Sequence, residues 1–453
     1  MRDDDRTRLD RSLSPFAEVR GGEGRPTILL ALAIFLLLTA YYIIKPLREG
    51  LILAGGGAAV KSYASAGQAL LLLGLVPLYG RLADRLPRLR LITVVTFFFV
   101  ACLVVFFLLG RAGVPLGVAF FLWVGIFNVM IIAQLWSFAN DLFRTGQGKR
   151  LFAIIGFGAS SGAVVGNVVV GGLIEPLGLF VPMLLAAALL VVSLGLTRLA
   201  ASYEAPPEPG HDDPGIGEAT RDDADPDPGA SPMPGTSVFR LMARNGYLVL
   251  LALLILVTNW VNTTGEYLLG EFITRAAASA PEVGAPGGPT AGEWIGAFYA
   301  RFFLVVNVTS LATQLFLVSR LVKYLGVGIC LLILPVIALG GYALLIVYPV
   351  LTVVRWAKTA ENATDYSLQN TVRNMLWLPT TREEKYKAKQ FVDTFCWRLG
   401  DVLSATVVFV GTRWLALSLP GFATFNLVLV GFWLVIAVLV GRRFRRLVPD
   451  HTP

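Results

Sequence analysis

The sequence predicts an all-α polytopic membrane protein: twelve transmembrane helices in two six-helix halves. Three observations predict it. The 453 residues are 55% hydrophobic and only 15% charged, where soluble domains run near a quarter charged, and the mean hydropathy is +0.68. Apolar runs of about 18 or more residues recur along the chain, each long enough to cross ~30 Å of hydrocarbon as a helix. These runs fall into two groups of six, parted by one polar segment.

Taken in order, residues 1–26 form a cytoplasmic N-terminal segment. Its opening "MRDDDRTRLDRSLSPFAEVR" is charged, and the apolar run after it is too long for the core of a cleavable signal peptide. The N-terminal half, 27–199, carries spans at roughly 27–53, 64–82, 91–110, 115–139, 151–175 and 178–198. Residues 200–237, "EAPPEPGHDDPGIGEATRDDADPDPGASPMPG" at their heart, have almost no bulky apolar side chain. They cannot bury enough surface to offset the entropy of ordering them and read as a disordered cytoplasmic linker. The C-terminal half, 238–442, carries spans at roughly 245–270, 293–318, 326–346, 348–372, 391–411 and 420–441. Residues 443–453 are a cytoplasmic tail.

Lys and Arg placement sets the orientation. "GRLADRLPRLR", "NDLFRTGQGKR", "TTREEKYKAK" and "GRRFRRL" all fall on one side, while "GRAGVPLG", "EPLG", "YP" and "LALSLPGF" on the other are nearly free of positive charge. The positive-inside rule puts both termini in the cytoplasm, as expected of a multi-pass protein of a bacterial inner membrane. The net charge of +8 is thus a topology signal, and no nucleic-acid partner is expected. Cys102, Cys330 and Cys396 lie in apolar runs without metal-type spacing and read as packing residues. The two histidines, His211 and His451, lie in the linker and tail, so none is available within the membrane as a proton relay. With no P-loop, no His/Cys cluster and no nucleophile–base pair, the chain is not expected to be an enzyme, to bind a metal or cofactor, or to need an obligate protein partner.

Charges inside apolar spans are costly and face a cavity or a partner. The stretch "YYIIKPLREG" places Lys45, Arg48 and Glu49 in the outer half of span one. Lys45 and Arg48, three apart, share a face, and they lie toward the side where topology needs no cations. Snorkelling to the outer interface, with Glu49 as local partner, is the alternative reading. Lys61 opens span two. Asn128 interrupts span four. In span five "GFGASSGAVVGN" spaces small residues for close helix packing. Glu266 follows "NWVNTTG" in span seven, and Arg301, Asn307 and Gln314 fall along span eight. Span ten is the most polar, "VVRWAKTAENATDYSLQNTVRNMLWLP", with Arg355, Lys358, Glu361, Asp365 and Arg373. Arg355, Lys358 and Glu361 recur at three-residue spacing and put charge on one face, which lines an aqueous path or pairs across the bundle.

Six plus six spans about a central tether is the layout of the major facilitator transporters, whose halves rock about a midplane site. "GRLADRLPRLR" resembles their loop between spans two and three, with Gly80 at a close turn and Asp84 toward a neighbouring helix N-terminus. More widely, "YYIIKPLREGLIL", "WSFANDLFRTGQGKRLFAIIGFGASSG", "TQLFLVSRLVKYLGV" and "DYSLQNTVRNMLWLPTTREEKYKAKQFVDTFCWRLGD" resemble the ATP/ADP translocase family of nucleotide exchangers, relatives of the major facilitators. The resemblance covers most of the chain. It implies a twelve-span carrier of a phosphorylated nucleotide or similar anion, working by alternating access, with Lys45, Arg48, Lys61, Asn128, Glu266, Arg301, Arg355, Lys358, Asp365, Arg373 and Lys387 as candidate substrate contacts. Glu49, Asp84, Asp365, Asp393 and Asp401 are the candidates for coupling or gating. Lys385, Lys387, Lys389 and Asp393 match family positions.

The chain also departs from that family. Around Val124 and Asn128 it lacks the acid of the nucleotide exchangers, and Asp365 and Asp401 stand where they carry lysines. These reversals leave the pathway less cationic than a tetra-anionic nucleotide favours. A paralogous carrier of a non-nucleotide solute, with Asp365 and Asp401 carrying coupled protons, is therefore a second expectation. A non-transporting receptor or scaffold is the third. A carrier predicts a central cavity lined by spans one, four, seven and ten with cations from both halves; a scaffold predicts charges paired off and no continuous polar path.

Overall fold

The computed structural model describes residues 23–83, 85–143, 145–203, 238–381 and 383–448. Asp84, most of the expected linker (204–237) and most of the N-terminal segment (1–22) lie outside the described residues. Within them the chain makes twelve helical passages, as the apolar runs predict. Gly24–Ala83 is two helices, α1 (24–56) and α2 (58–83), joined at Gly57 with φ 73° and ψ −178°. Residues with a Cβ avoid this conformation, so a single glycine does the work of the loop expected at 54–63. Then come α3 (Arg88–Arg111), α4 (117–142), α5 (Thr145–Leu177) and α6 (Val181–Ala201). A short helix, Val238–Arg244, leads into α7 (Gly246–Ser279), followed by α8 (Ala291–Phe316) and α9 (Val318–Val347). The last three are α10 (351–375), α11 (384–413) and α12 (Leu419–Leu447). In α9 the helix kinks at Gly326, φ 74°, where the ninth span was expected to begin.

Each half buries its own apolar cluster. One gathers Leu30, Ile34, Phe99, Phe120, Phe127 and Met183, the other Leu248, Tyr299, Leu331, Phe422 and Trp433. The glycines of α5 behave as their spacing predicts. A Cβ on Gly158, Gly162 or Gly166 would lie 2.6, 2.3 or 2.6 Å from the carbonyl oxygen of Ala31, Phe35 or Thr39 of α1. Three glycines four apart thus meet three residues four apart, and the two backbones touch directly.

Arg81, Arg88, Arg198, Arg244 and Arg443 mark one end of the bundle, called the basic end below. At the opposite end the two halves meet. A Cβ on Gly50 would lie 2.5 Å from the Gly292 oxygen, one on Gly292 2.9 Å from Leu179, one on Gly296 3.0 Å from Leu179, and one on Gly270 3.2 Å from Ala58. Every close approach of a described glycine to the other half lies at this non-basic end. The bundle is therefore closed there by tight packing, backbone on backbone at Gly50 and Gly292 and backbone on side chain at Leu179 and Ala58.

Candidate functional site

Beneath that seam lies a central cavity of about 260 Å³. Its walls come from α1 (Lys45, Arg48, Glu49), α2 (Lys61, Ser62, Ser65, Gln68), α4 (Phe121), α7 (Asn259, Asn262, Thr263, Glu266, Tyr267), α8 (Phe303), α10 (Asn362, Asp365, Tyr366) and α11 (Trp397, Arg398, Asp401). Both halves contribute cations. Spans one, four, seven and ten all take part, joined by two, eight and eleven.

Local backbone features aim these groups. Pro46 withholds its N–H from α1, yet α1 continues through it. In α10 a π-helical turn, Asp365–Gln369, carries two of the wall residues. In α11 a second one, Val392–Cys396, immediately precedes Trp397 and Arg398. Such turns re-register a helix and cluster at functional sites.

The charges form a network. Glu49, 1% exposed, is held by Lys61 at 2.7 Å and by Arg48. Lys61 also reaches across to Glu266 of the other half at 3.6 Å. From behind, Lys358 approaches Glu266 at 3.8 Å and Glu361 at 3.2 Å, and donates to Asn262 Oδ1 at 2.8 Å. Asn362 donates to Glu266 at 3.2 Å. Asp365 faces Arg373 at 3.7 Å. Asp401 accepts from Asn259 and Thr263, each at 2.9 Å, and faces Arg398 at 3.5 Å.

Lys45 is the exception. It is 9% exposed, and among the described residues no carboxylate stands within ion-pair distance of it. Its ammonium instead faces the rings of Phe303 at 3.9 Å, Tyr42 at 5.4 Å and Tyr366 at 5.7 Å. Cation–π contact of this kind steadies a desolvated ammonium without neutralising it. The cluster thus holds six cations (Lys45, Arg48, Lys61, Lys358, Arg373, Arg398) against five carboxylates (Glu49, Glu266, Glu361, Asp365, Asp401). Its formal surplus is one positive charge, and Lys45 is the group left over.

Not every expected residue joins the cavity. Arg301 is exposed on α8, outside the wall. Phe298, Phe302 and Phe303 take the packed side of that helix, and Arg301 falls away from Phe303. Arg355 stacks between Phe298 and Trp356, each ring centroid 5.5 Å away, one turn nearer the non-basic end than Lys358. Asn128 is exposed two turns below Phe121, in a π-helical turn of α4, Asn128–Ile132. Arg373 and Asp393 line a separate pocket with Lys389 and Trp397 nearer the basic end. Lys387 bonds Glu383 at 2.9 Å at the start of α11. These six of the expected substrate and coupling residues lie outside the wall of the central cavity, although Arg373 remains as the partner of Asp365. Wall residues not singled out from sequence include Gln68, Asn259, Asn262, Thr263, Phe303, Tyr366, Trp397 and Arg398. The signal for two of them was present: Asn259 and Asn262 recur with the expected Glu266 at helical spacing along one face of α7.

No protein-family model matches the sequence, and no curated protein sequence matches it. Solved structures do. A bacterial homologue of the human lysosomal transporter Spinster, in an inward-facing and unoccupied conformation, superposes with a TM-score of 0.60 at 14% identity, covering 94% of this chain and 98% of that one. The nucleoside transporter NupG gives 0.61 at 11%, covering 94% and 99%. A peptide transporter of the POT family in complex with sulfate gives 0.62 at 12%, covering 97% and 99%. This chain is a polytopic membrane protein with the twelve-helix major facilitator fold.

Proposed function

We propose that the chain is a secondary transporter that carries an organic anion through the central cavity by alternating access. The observation that carries this reading is Lys45: a buried cation, without a carboxylate, aimed into a cavity between two halves. A buried unpaired charge is expensive, and an anionic solute supplies the missing partner. Two further features support the reading. The seam at the non-basic end, bridged by Lys61 and Glu266, is a contact the halves can make and break as they rock. Of the structural relatives, one is a nucleoside transporter and another was solved with sulfate.

The sequence resemblance supports a nucleotide-like anion. The one-charge surplus favours a solute that presents about one net negative charge to the cluster over a tetra-anion. Positive-charge placement puts the basic end and both termini in the cytoplasm of a bacterial inner membrane. The test is uptake and counter-exchange in proteoliposomes with a panel of nucleotides, nucleosides and other organic anions. Saturable flux of an anion, competed by its congeners, is expected. An absence of solute-dependent flux across the whole panel returns the scaffold reading.

A second reading, proton-coupled uptake, is favoured by Asp365: it lines the cavity, yet its Oδ1 accepts no hydrogen bond and Arg373 stays 3.7 Å away. With Asp401 it would load and release a proton during the cycle. In that case Asp365→Asn with Asp401→Asn abolishes the stimulation of uptake by an imposed pH gradient while counter-exchange persists. Unchanged stimulation removes this reading.

A further inference from the structure

A second chamber of about 420 Å³ lies between α1, α5, α8 and α10, toward the basic end from the central cavity. Among the described residues, no charged side chain lines it. Its polar wall is Tyr42, Ser160, Asn307, Ser310, Gln314 and Asn370, and Tyr366 lines both chambers. Lys45 stands at the junction, within 6 Å of both tyrosine rings. The charge-bearing pocket and the neutral pocket are thus two rooms with one doorway.

One group in the neutral room is unsatisfied. Asn307 is 9% exposed, and among the described residues its Nδ2 makes no hydrogen bond of regular geometry, the Tyr42 hydroxyl beside it being the one group it interacts with. A buried amide donor left bare costs about 1–3 kcal/mol, so its persistence points to a ligand that accepts from it. Asn307 lies one helical turn from Phe303, ~6 Å along the axis of α8, and Phe303 is the ring against which Lys45 rests. A solute whose anionic group meets Lys45 therefore needs only about one ring of reach to meet Asn307.

We propose that this chamber is the subsite for the uncharged part of the same solute: a planar ring whose edge carries both hydrogen-bond donors and acceptors. Carboxamides such as Asn307, Gln314 and Asn370 offer a donor and an acceptor side by side, the pairing that reads heterocycle edges. Tyr42 and Tyr366 add aromatic surface on which a flat ring stacks. Counting ~30 Å³ per water, the chamber has volume for a ring system and not merely for one bridging water. The proposal rests on the anion-carrier reading for the position of the charged end.

The test is calorimetric binding of AMP, adenosine and inorganic phosphate to the full chain in lipid nanodiscs, with thermal unfolding as a check on the variants' folding. Asn307→Leu, which keeps the side chain's shape and removes its donor and acceptor, is expected to weaken AMP at least tenfold and to leave inorganic phosphate within about twofold; Asn307→Ala should act in the same direction. Lys45→Ala is expected to weaken both phosphate compounds. The subsite is overturned if Asn307→Leu weakens AMP and inorganic phosphate in parallel or leaves AMP untouched, or if the unaltered protein binds neither AMP nor adenosine. If Lys45→Ala leaves inorganic phosphate binding as it was, the anion reading falls, while a selective loss of AMP or adenosine in Asn307→Leu still upholds the subsite.

Discussion

On the proposed anion-carrier reading, Lys45→Ala is expected to weaken the anion's binding by about 30-fold or more, while protein yield and thermal stability stay near those of the unaltered chain. The two halves of this expectation come from the same geometry. Truncating one partner of a buried charge pair costs about 2–5 kcal/mol, and each 1.4 kcal/mol is tenfold. In the empty protein, however, Lys45 has no carboxylate to orphan; it contacts the rings of Phe303, Tyr42 and Tyr366. Its loss therefore leaves no stranded anion in the cluster. A snorkelling lysine would behave differently, because its head would lie in water and its removal would cost little. Initial-rate uptake against solute concentration decides the matter. A change below threefold in kcat/KM removes Lys45 from the site.

Glu266→Gln is the second large effect, and it acts on the protein itself. Among the described residues, Glu266 is the one carboxylate shared between cations of different halves, Lys61 at 3.6 Å and Lys358 at 3.8 Å. Neutralising it raises the surplus from one positive charge to two and cuts the ionic bridge across the non-basic end. Breaking a buried pair by removing one partner costs about 3–5 kcal/mol, and the lower figure applies because Glu266 is partly open to the cavity. The expected result is a large drop in thermal stability in detergent, much of it recovered when Lys61→Gln is added. A double-mutant cycle measures the coupling directly. Strictly additive effects would show that Lys61 and Glu266 do not work as a pair.

The fold was legible because hydropathy records which stretches lie in hydrocarbon, and loop charge records which ends share a side. The turns were less legible: "LILAGGGAAVKSY" looks like a ten-residue connection, yet Gly57 alone reverses the chain. Of the expected site residues, Lys45, Arg48, Glu49, Lys61, Glu266, Asp365 and Asp401 line the cavity; each was visible because a charge in an apolar run is too costly to be incidental. Arg301 and Arg355 lie off the wall for a related reason. Helical spacing tells which residues share a face but not which face the neighbouring helices will enclose, and that is decided by where Phe298, Phe302 and Phe303 pack. Neutral groups such as Asn262, Tyr366 and Trp397 gave little warning, since an amide or a phenol in a span is cheap enough to occur for packing alone.

On the proposed anion-carrier reading, the one-charge surplus of the central cluster has an electrical consequence. Once a monoanionic group occupies the place beside Lys45, the cluster sums to zero and the loaded halves can swing without carrying charge through the membrane field. The empty cluster keeps its extra positive charge, and an elementary charge moved through 100 mV is worth ~2.3 kcal/mol. Voltage therefore acts on the return of the empty carrier and leaves the loaded crossing alone. A carrier built this way runs most freely when a solute rides in both directions, so trading one anion for another is its least voltage-sensitive cycle.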